Sequence, residues 1–141
     1  NGSLISMYSY AVNKLMGLDG SDDITINDKK EGFHYIKKLI DLEFTQAITF
    51  FWFYTSIYEV IKDFNKFHDK QNPIFGDYIP MSEKELAQYK QKALNFFERE
   101  CEKGNEYILL FYVDVLSSGL PGPSNPYKEI KYLEKLVSME M

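Results

Sequence analysis

Lys92-Ala93-Leu94-Asn95-Phe96-Phe97-Glu98-Arg99-Glu100-Cys101-Glu102-Lys103-Gly104-Asn105 is the stretch that decides the fold. It reads as the end of one helix, a stop at Lys103-Gly104, and the start of an aromatic and aliphatic helix that should end at Gly119. Gly119 follows Gly104 by 15 positions, and Gly17 follows Gly2 by the same step. Between these two units, Glu43-Phe44-Thr45-Gln46-Ala47 opens a third segment of the same kind, although its equivalent step falls on Tyr58 rather than on a glycine. Helix pairs repeating at roughly 35 to 45 residues are the mark of a stacked α-solenoid, in which each unit buries its apolar face against the next.

Outward from that stretch, the punctuation agrees with three helical hairpins. Leu4 to Met16 predicts a first helix closed by Gly17 in a left-handed C-cap. Asp28-Lys29-Lys30-Glu31 has capping-box spacing, and Phe33, Ile36, Leu39 and Ile40 then form an apolar stripe. The third helix, about Phe44 to Phe64, carries Phe50, Phe51, Trp52, Phe53, Tyr54 and Tyr58. An element apolar nearly all round should be the most enclosed in the stack. The segment from Asn65 to Met81, with Asn72-Pro73, Gly76 and Pro80, reads as an insertion in the second unit. Ser82-Glu83-Lys84-Glu85 is a second capping box, with Met81 and Leu86 as a hydrophobic staple, and its helix should reach Glu102. A helix from about Asn105 to Ser117 follows. Leu120 to Ser124 is loop by composition, and Asn125-Pro126 starts a last helix to about Met139 that presents Ile130, Leu133, Leu136 and Val137. No segment alternates with period two, so the expectation is one all-α domain with units 2–42, 43–103 and 104–141. The alternative is a non-repeat helical bundle in which Gly17 and Gly119 are unrelated caps.

Composition narrows the function classes. The 141 residues are 45% hydrophobic, enough for one continuous core. A formal charge of −5 argues against a nucleic-acid footprint, which needs a basic stripe. Aromatic residues make up 16% of the chain, with a single Trp52, and suit both helix-pair cores and interfaces. One cysteine, Cys101, allows no intrachain disulfide. The chain opens Asn1-Gly2-Ser3 rather than on methionine, so a processed or trimmed product is the expectation. The most apolar run, Ala47 to Tyr58, is about a dozen residues, short of the ~20 that a membrane span needs.

The units resemble the Sel-one-like repeat family, relatives of the tetratricopeptide repeats with two antiparallel helices per unit. The third unit carries the resemblance through Gly104, Asn105, Ile108, Tyr112, Leu116 and Gly119, then Ile130, Leu133 and Val137. The second offers Ala47, Phe51, Lys92, Ala93, Phe96 and Phe97. The first keeps Gly2, Tyr10, Ala11 and Gly17, then Lys30, Glu31, Gly32, Tyr35 and Leu39. Several small consensus residues are replaced by Ile, Phe or Tyr, which implies altered packing around the second unit. The resemblance further implies a bacterial protein-binding module of cytoplasm or periplasm, with the first helices of the units lining a concave wall. The wall positions it marks are Tyr8 and Val12; Gln46, Thr49, Phe53 and Ser56; and Tyr107, Leu110, Asp114 and Ser117. Small polar residues among aromatic anchors suit a protein or peptide.

Chemistry finds less support. His34 and His68 lie on different elements and in no metal-ligand pair, so no metal and no cofactor are expected. Cys101 stands between Glu100 and Glu102, which disfavours a thiolate, and reads as a small buried residue. Asp19 to Asp23 looks like a calcium loop but has Ile24 and Lys30 where such a loop needs Gly and Glu. The leading expectation is therefore a non-enzymatic inhibitor or immunity-type protein that blocks a partner such as a secreted toxin. A general adaptor is the alternative, and a helical enzyme with a site under the insertion, around His68, Asp69 and Asp77, is a second. Leu4, Ile5, Met7, Val12 and Leu15 leave the first helix with little of the polar face that an end helix needs, so self-association through it is a further expectation.

Overall fold

The computed structural model describes residues 2–17, 24–66, 78–118 and 125–140, with backbone alone at 65 and 66. Gly119, the 120–124 loop, the Asp19 to Asp23 turn and most of the 65–81 insertion lie outside the described residues. Six helices account for 87% of what is described, and no strand occurs among those residues, so the protein is all-α. They are α1 (Gly2–Met16), α2 (Ile26–Asp41), α3 (Thr45–Lys66), α4 (Glu83–Glu102), α5 (Glu106–Ser118) and α6 (Pro126–Glu140).

Backbone closures explain where each helix stops. Gly17 takes φ 68° and its N–H donates to Asn13 O at 2.9 Å, the left-handed cap that the sequence predicts. At the end of α4, Gly104 takes φ 85°, its N–H donates to Cys101 O at 3.0 Å and that of Asn105 to Glu100 O at 3.0 Å. The end of α2 closes the same way. Glu43 takes φ 56° and donates to Ile40 O, and Phe44 donates to Leu39 O, both at 2.9 Å. Glu43 and Gly104 thus share one backbone role, although the glutamate hides it in sequence.

Helix starts follow side-chain caps. Ser82 Oγ accepts from Glu85 N–H at 3.1 Å, Asn105 Oδ1 from Ile108 N–H at 3.2 Å, and Asn125 Oδ1 from Lys128 N–H at 3.1 Å. The start of α2 differs from the expected one. Thr25, not Asp28, is the N-cap: its Oγ1 accepts from Asp28 N–H and Asp28 Oδ2 accepts from Thr25 N–H, each at 3.0 Å. Asp28 is the returning partner of the box, so the helix begins three positions earlier than the Asp28-to-Glu31 spacing suggested.

Packing links neighbours in chain order, α1 to α2 through α5 to α6, and α2 also meets α4. The α1–α2 crossing is the closest. A Cβ at Gly32 would lie 2.6 Å from Leu15 Cγ and 3.1 Å from Ala11 O, so the glycine is what lets the two backbones approach. Between α3 and α4 the opposite holds. Phe51, Trp52, Phe96 and Phe97 are all buried there, and such rings keep the axes apart. The core continues through Ile108, Leu109, Tyr112 and Leu116 of α5 to Tyr132 and Leu136 of α6.

Three sequence expectations about exposure need correction. The third helix is enclosed only in its first half. Ala47, Ile48, Phe51, Trp52 and Thr55 are buried, whereas Phe53, Ile57, Val60 and Phe64 are exposed, and of these Phe53, Ile57 and Val60 face the gap beside α5. On α6, Tyr132 and Leu136 point inward and Ile130, Leu133 and Val137 point out, so its register is turned from the one assigned by the repeat pattern. On α1 the outward positions include Ser3, Ser6, Ser9 and Asn13 alongside Ile5, Tyr10 and Met16, while Leu4, Met7 and Leu15 pack inward; that end carries a mixed face rather than the apolar one expected.

Two glycine substitutions separate the causes. Gly32→Ala is expected to lower stability by about 1–3 kcal/mol in urea unfolding, despite better helix propensity, because Leu15 must move. Gly104→Ala meets open space, with nothing within 4 Å, and should still cost about 1–2 kcal/mol through backbone strain alone. Acid should also destabilise the fold. The Thr25 backbone and hydroxyl hold Asp28 below the usual carboxylate range, and the Asn105 amide, then Lys103, do the same for Glu100. Folded, these groups release protons more readily than unfolded. Their contribution is complete above the unfolded carboxylate range, about 3.9–4.3, and is lost as pH falls through the lower folded values. A melting temperature level from about pH 5 to 7 and falling below about pH 4 is expected, with a shallower fall in Asp28→Asn.

Candidate groove between α3 and α5

The Phe97 ring, fully buried on α4, meets Trp52 of α3 edge-on at 5.8 Å between centroids and Phe111 of α5 at 5.1 Å. Above this floor α3 and α5 diverge and leave a groove of about 470 Å³. Trp52, Phe53, Ser56, Ile57, Val60 and Ile61 form one wall, and Phe111, Asp114, Val115 and Ser118 the other. Phe53, Ile57 and Ile61 are also a ridge, for they border a second hollow of about 190 Å³ against Leu15 and Met16 of α1.

The lining is drier than its residue types suggest. Ser56 Oγ donates to Trp52 O at 2.7 Å and Ser118 Oγ to Val115 O at 3.2 Å, so both hydroxyl hydrogens return to their own helices. Asp114 is the single ionisable residue in the walls, is exposed, and its carboxylate has no ion-pair partner among the described residues. Most other carboxylates near the core are paired: Asp41 with Lys92 at 2.7 Å, Glu59 with Lys90 at 2.7 Å, Glu102 with Lys131 at 2.7 Å, and Glu43 with Arg99. Trp52 is 2% exposed and its indole N–H has no acceptor among the described residues, while Lys90 Nζ lies 5.4 Å from its ring centroid.

Of the sequence-predicted wall positions, Phe53, Ser56 and Asp114 come together in this groove. Tyr8 lies half-buried against Phe44 and Phe50; burial raises its phenol pKa and the nearby Tyr107 adds to the rise. Tyr107 and Leu110 are exposed on α5, as are Gln46 on α3 and Ser117, and Val12 is half-buried. Thr49 is not part of an open wall. It is 8% exposed and its hydroxyl donates to Thr45 O and Gln46 O, which lets it sit in the core. Sequence reading missed Ile57, Val60, Ile61, Phe111 and Val115. The signal was present, since Ile57, Val60 and Ile61 follow Phe53 at helical spacing on one face, but an all-apolar helix gives no contrast by which to choose that face.

Elsewhere among the described residues, burial holds several ionisable groups in their neutral forms. Burial, then Glu102, pushes the Cys101 thiol up to about 12, so it is protonated at neutral pH. Burial pushes Tyr132 up to about 12 and raises Tyr112, whose hydroxyl donates to Glu98 at 3.4 Å. No group of three or more His, Cys, Asp or Glu that could hold a metal occurs among the described residues. No described helix is long and apolar enough to cross a membrane. At the described margin of the insertion, Lys29 Nζ donates to Tyr78 O at 3.3 Å, and His34 lines a shallow hollow with Lys30, Lys37 and Tyr78. His68, Asp69 and Asp77 lie outside the described residues. In comparisons with known proteins, the chain matches no family model, no curated protein and no solved structure.

Proposed function

We propose that the chain is a non-enzymatic protein-binding module and that its partner seats in the α3–α5 groove. The observation that carries this reading is a 470 Å³ hollow whose serine hydroxyls are satisfied within their own helices, leaving apolar side chains to face the outside. Apolar surface held open by a rigid aromatic floor loses free energy when another molecule covers it, at ~25 cal/mol per Å². The helix order and the shared closure at Glu43 and Gly104 support stacked hairpins, with α1, α3 and α5 as leading helices and the groove between two of them. The resemblance to the Sel-one-like repeats points the same way. Within it, a dedicated inhibitor of immunity type, blocking a partner such as a secreted toxin, suits the departures from consensus better than a general adaptor does. A surface fitted to one partner need not keep shared positions.

Phe53 is 56% exposed, so Phe53→Ser should leave the melting temperature within a few degrees of the parent while reducing partner capture about tenfold or more. Trp52 is the only tryptophan and lines the groove, so a shift of its emission on partner binding reads occupancy directly. Capture by the folded Phe53→Ser variant at parental strength, with no emission change on binding, would refute the groove as the seat.

A further inference from the structure

We infer that the occupant is an amphipathic α-helix bearing a lysine or arginine at the edge of its apolar stripe, placed to meet Asp114. This rests on the reading of the groove as a protein-binding seat. Its first support is the backbone requirement. An extended segment brings unpaired N–H and C=O groups that must find partners along its whole length, and the α3 wall from Trp52 to Ile61, being helix interior, offers none from its main chain, while Ser56 and Ser118 are engaged with Trp52 O and Val115 O. A helix satisfies its own backbone and presents only side chains. The second is length. Trp52 to Ile61 spans about 14 Å at 1.5 Å per residue, enough for anchors at i, i+3 or i+4, and i+7. The third is charge. Among the described residues Asp114 has no ion-pair partner and is the one charge on the wall, in a chain with net charge −5, so a cation at the rim is matched and an anion repelled.

Helix-stapled synthetic peptides of about 16 residues test this, titrated against the full chain with Trp52 emission and calorimetry. One carries a leucine stripe with a rim lysine, the second has glutamate in place of that lysine, and the third scrambles the stripe at equal composition. The lysine peptide should bind about tenfold or more tightly than the scramble. It should bind about fivefold more tightly than the glutamate peptide, and that fivefold margin should vanish in Asp114→Asn. Equal binding of the lysine and glutamate peptides would overturn the charge selection and leave the groove as a seat. Failure of every helical peptide, while Phe53→Ser still loses the natural partner, would overturn the helix and spare the proposed function. Binding of a long-chain quaternary amine but of no peptide would assign the groove to a small cationic amphiphile, against the inference. So would concentration-dependent dimerisation abolished by Val137→Ser, since Ile130, Leu133 and Val137 on α6 of a second copy have the same anchor spacing.

Discussion

The contact on which the rest depends is the Phe97 ring, wedged beneath Trp52 and Phe111. Its ring also lies 5.6 Å from that of Tyr112, so one side chain of α4 touches both α3 and α5. An aromatic ring is stiff, with two side-chain torsions, and it resists the compression that a leucine would accept by changing rotamer. Phe97 therefore sets how near the two helices come. Trp52 and Phe111 belong at once to the floor and to the walls, and the groove is the space that their spacing leaves open.

That wedge also explains an asymmetry along the chain. Where Gly32 removes a side chain, α1 and α2 lie nearly backbone to backbone, with Ala11 O only 3.1 Å from where a Cβ would stand. Where Phe51, Trp52, Phe96 and Phe97 are buried on α3 and α4, large rings fill the interior, and the exposed Phe53, Ile57 and Val60 gather on the side of α3 toward α5. The large buried rings of α3 and α4 thus do more than fill the core. They leave a recess on the surface beside α5. The recess is also short of polar character, because Ser56 Oγ donates to Trp52 O while the buried Thr55 hydroxyl turns to Phe51 O and Trp52 O.

Much of this was legible from local chemistry. Gly17, Ser82, Asn105 and Asn125 announce helix ends through short-range hydrogen bonds, which depend on a few neighbouring residues and survive any tertiary arrangement. Glu43 shows where that legibility stops: its left-handed backbone matches that of Gly104, yet a glutamate gives no sign of it. Thr25 and Asp28 show another limit, since both can cap, and which one does depends on where the helix first finds a packing partner. The groove was half legible. Phe53, Ser56 and Asp114 were marked by the inner positions that the repeat resemblance implies, while Ile57, Val60 and Ile61 belonged to a helix expected to be enclosed, because burial is decided by a neighbouring helix that periodicity on one helix cannot see. The outward stripe of α6 was misplaced for the same reason, as Tyr132 rather than Leu133 fills the space beside Tyr112, with ring centroids 5.9 Å apart.

The central claim, that Phe97 holds α3 and α5 apart as the walls of one groove, is open to a distance measurement. Spin labels on cysteines introduced at Ser56 and Ser118, with the buried Cys101 left in place, report the width of the groove by double electron–electron resonance. One narrow distance distribution is expected in the parent and a shorter or broader one in a folded Phe97→Leu variant. An unchanged distribution in that variant, or a broad one in the parent, would contradict that claim.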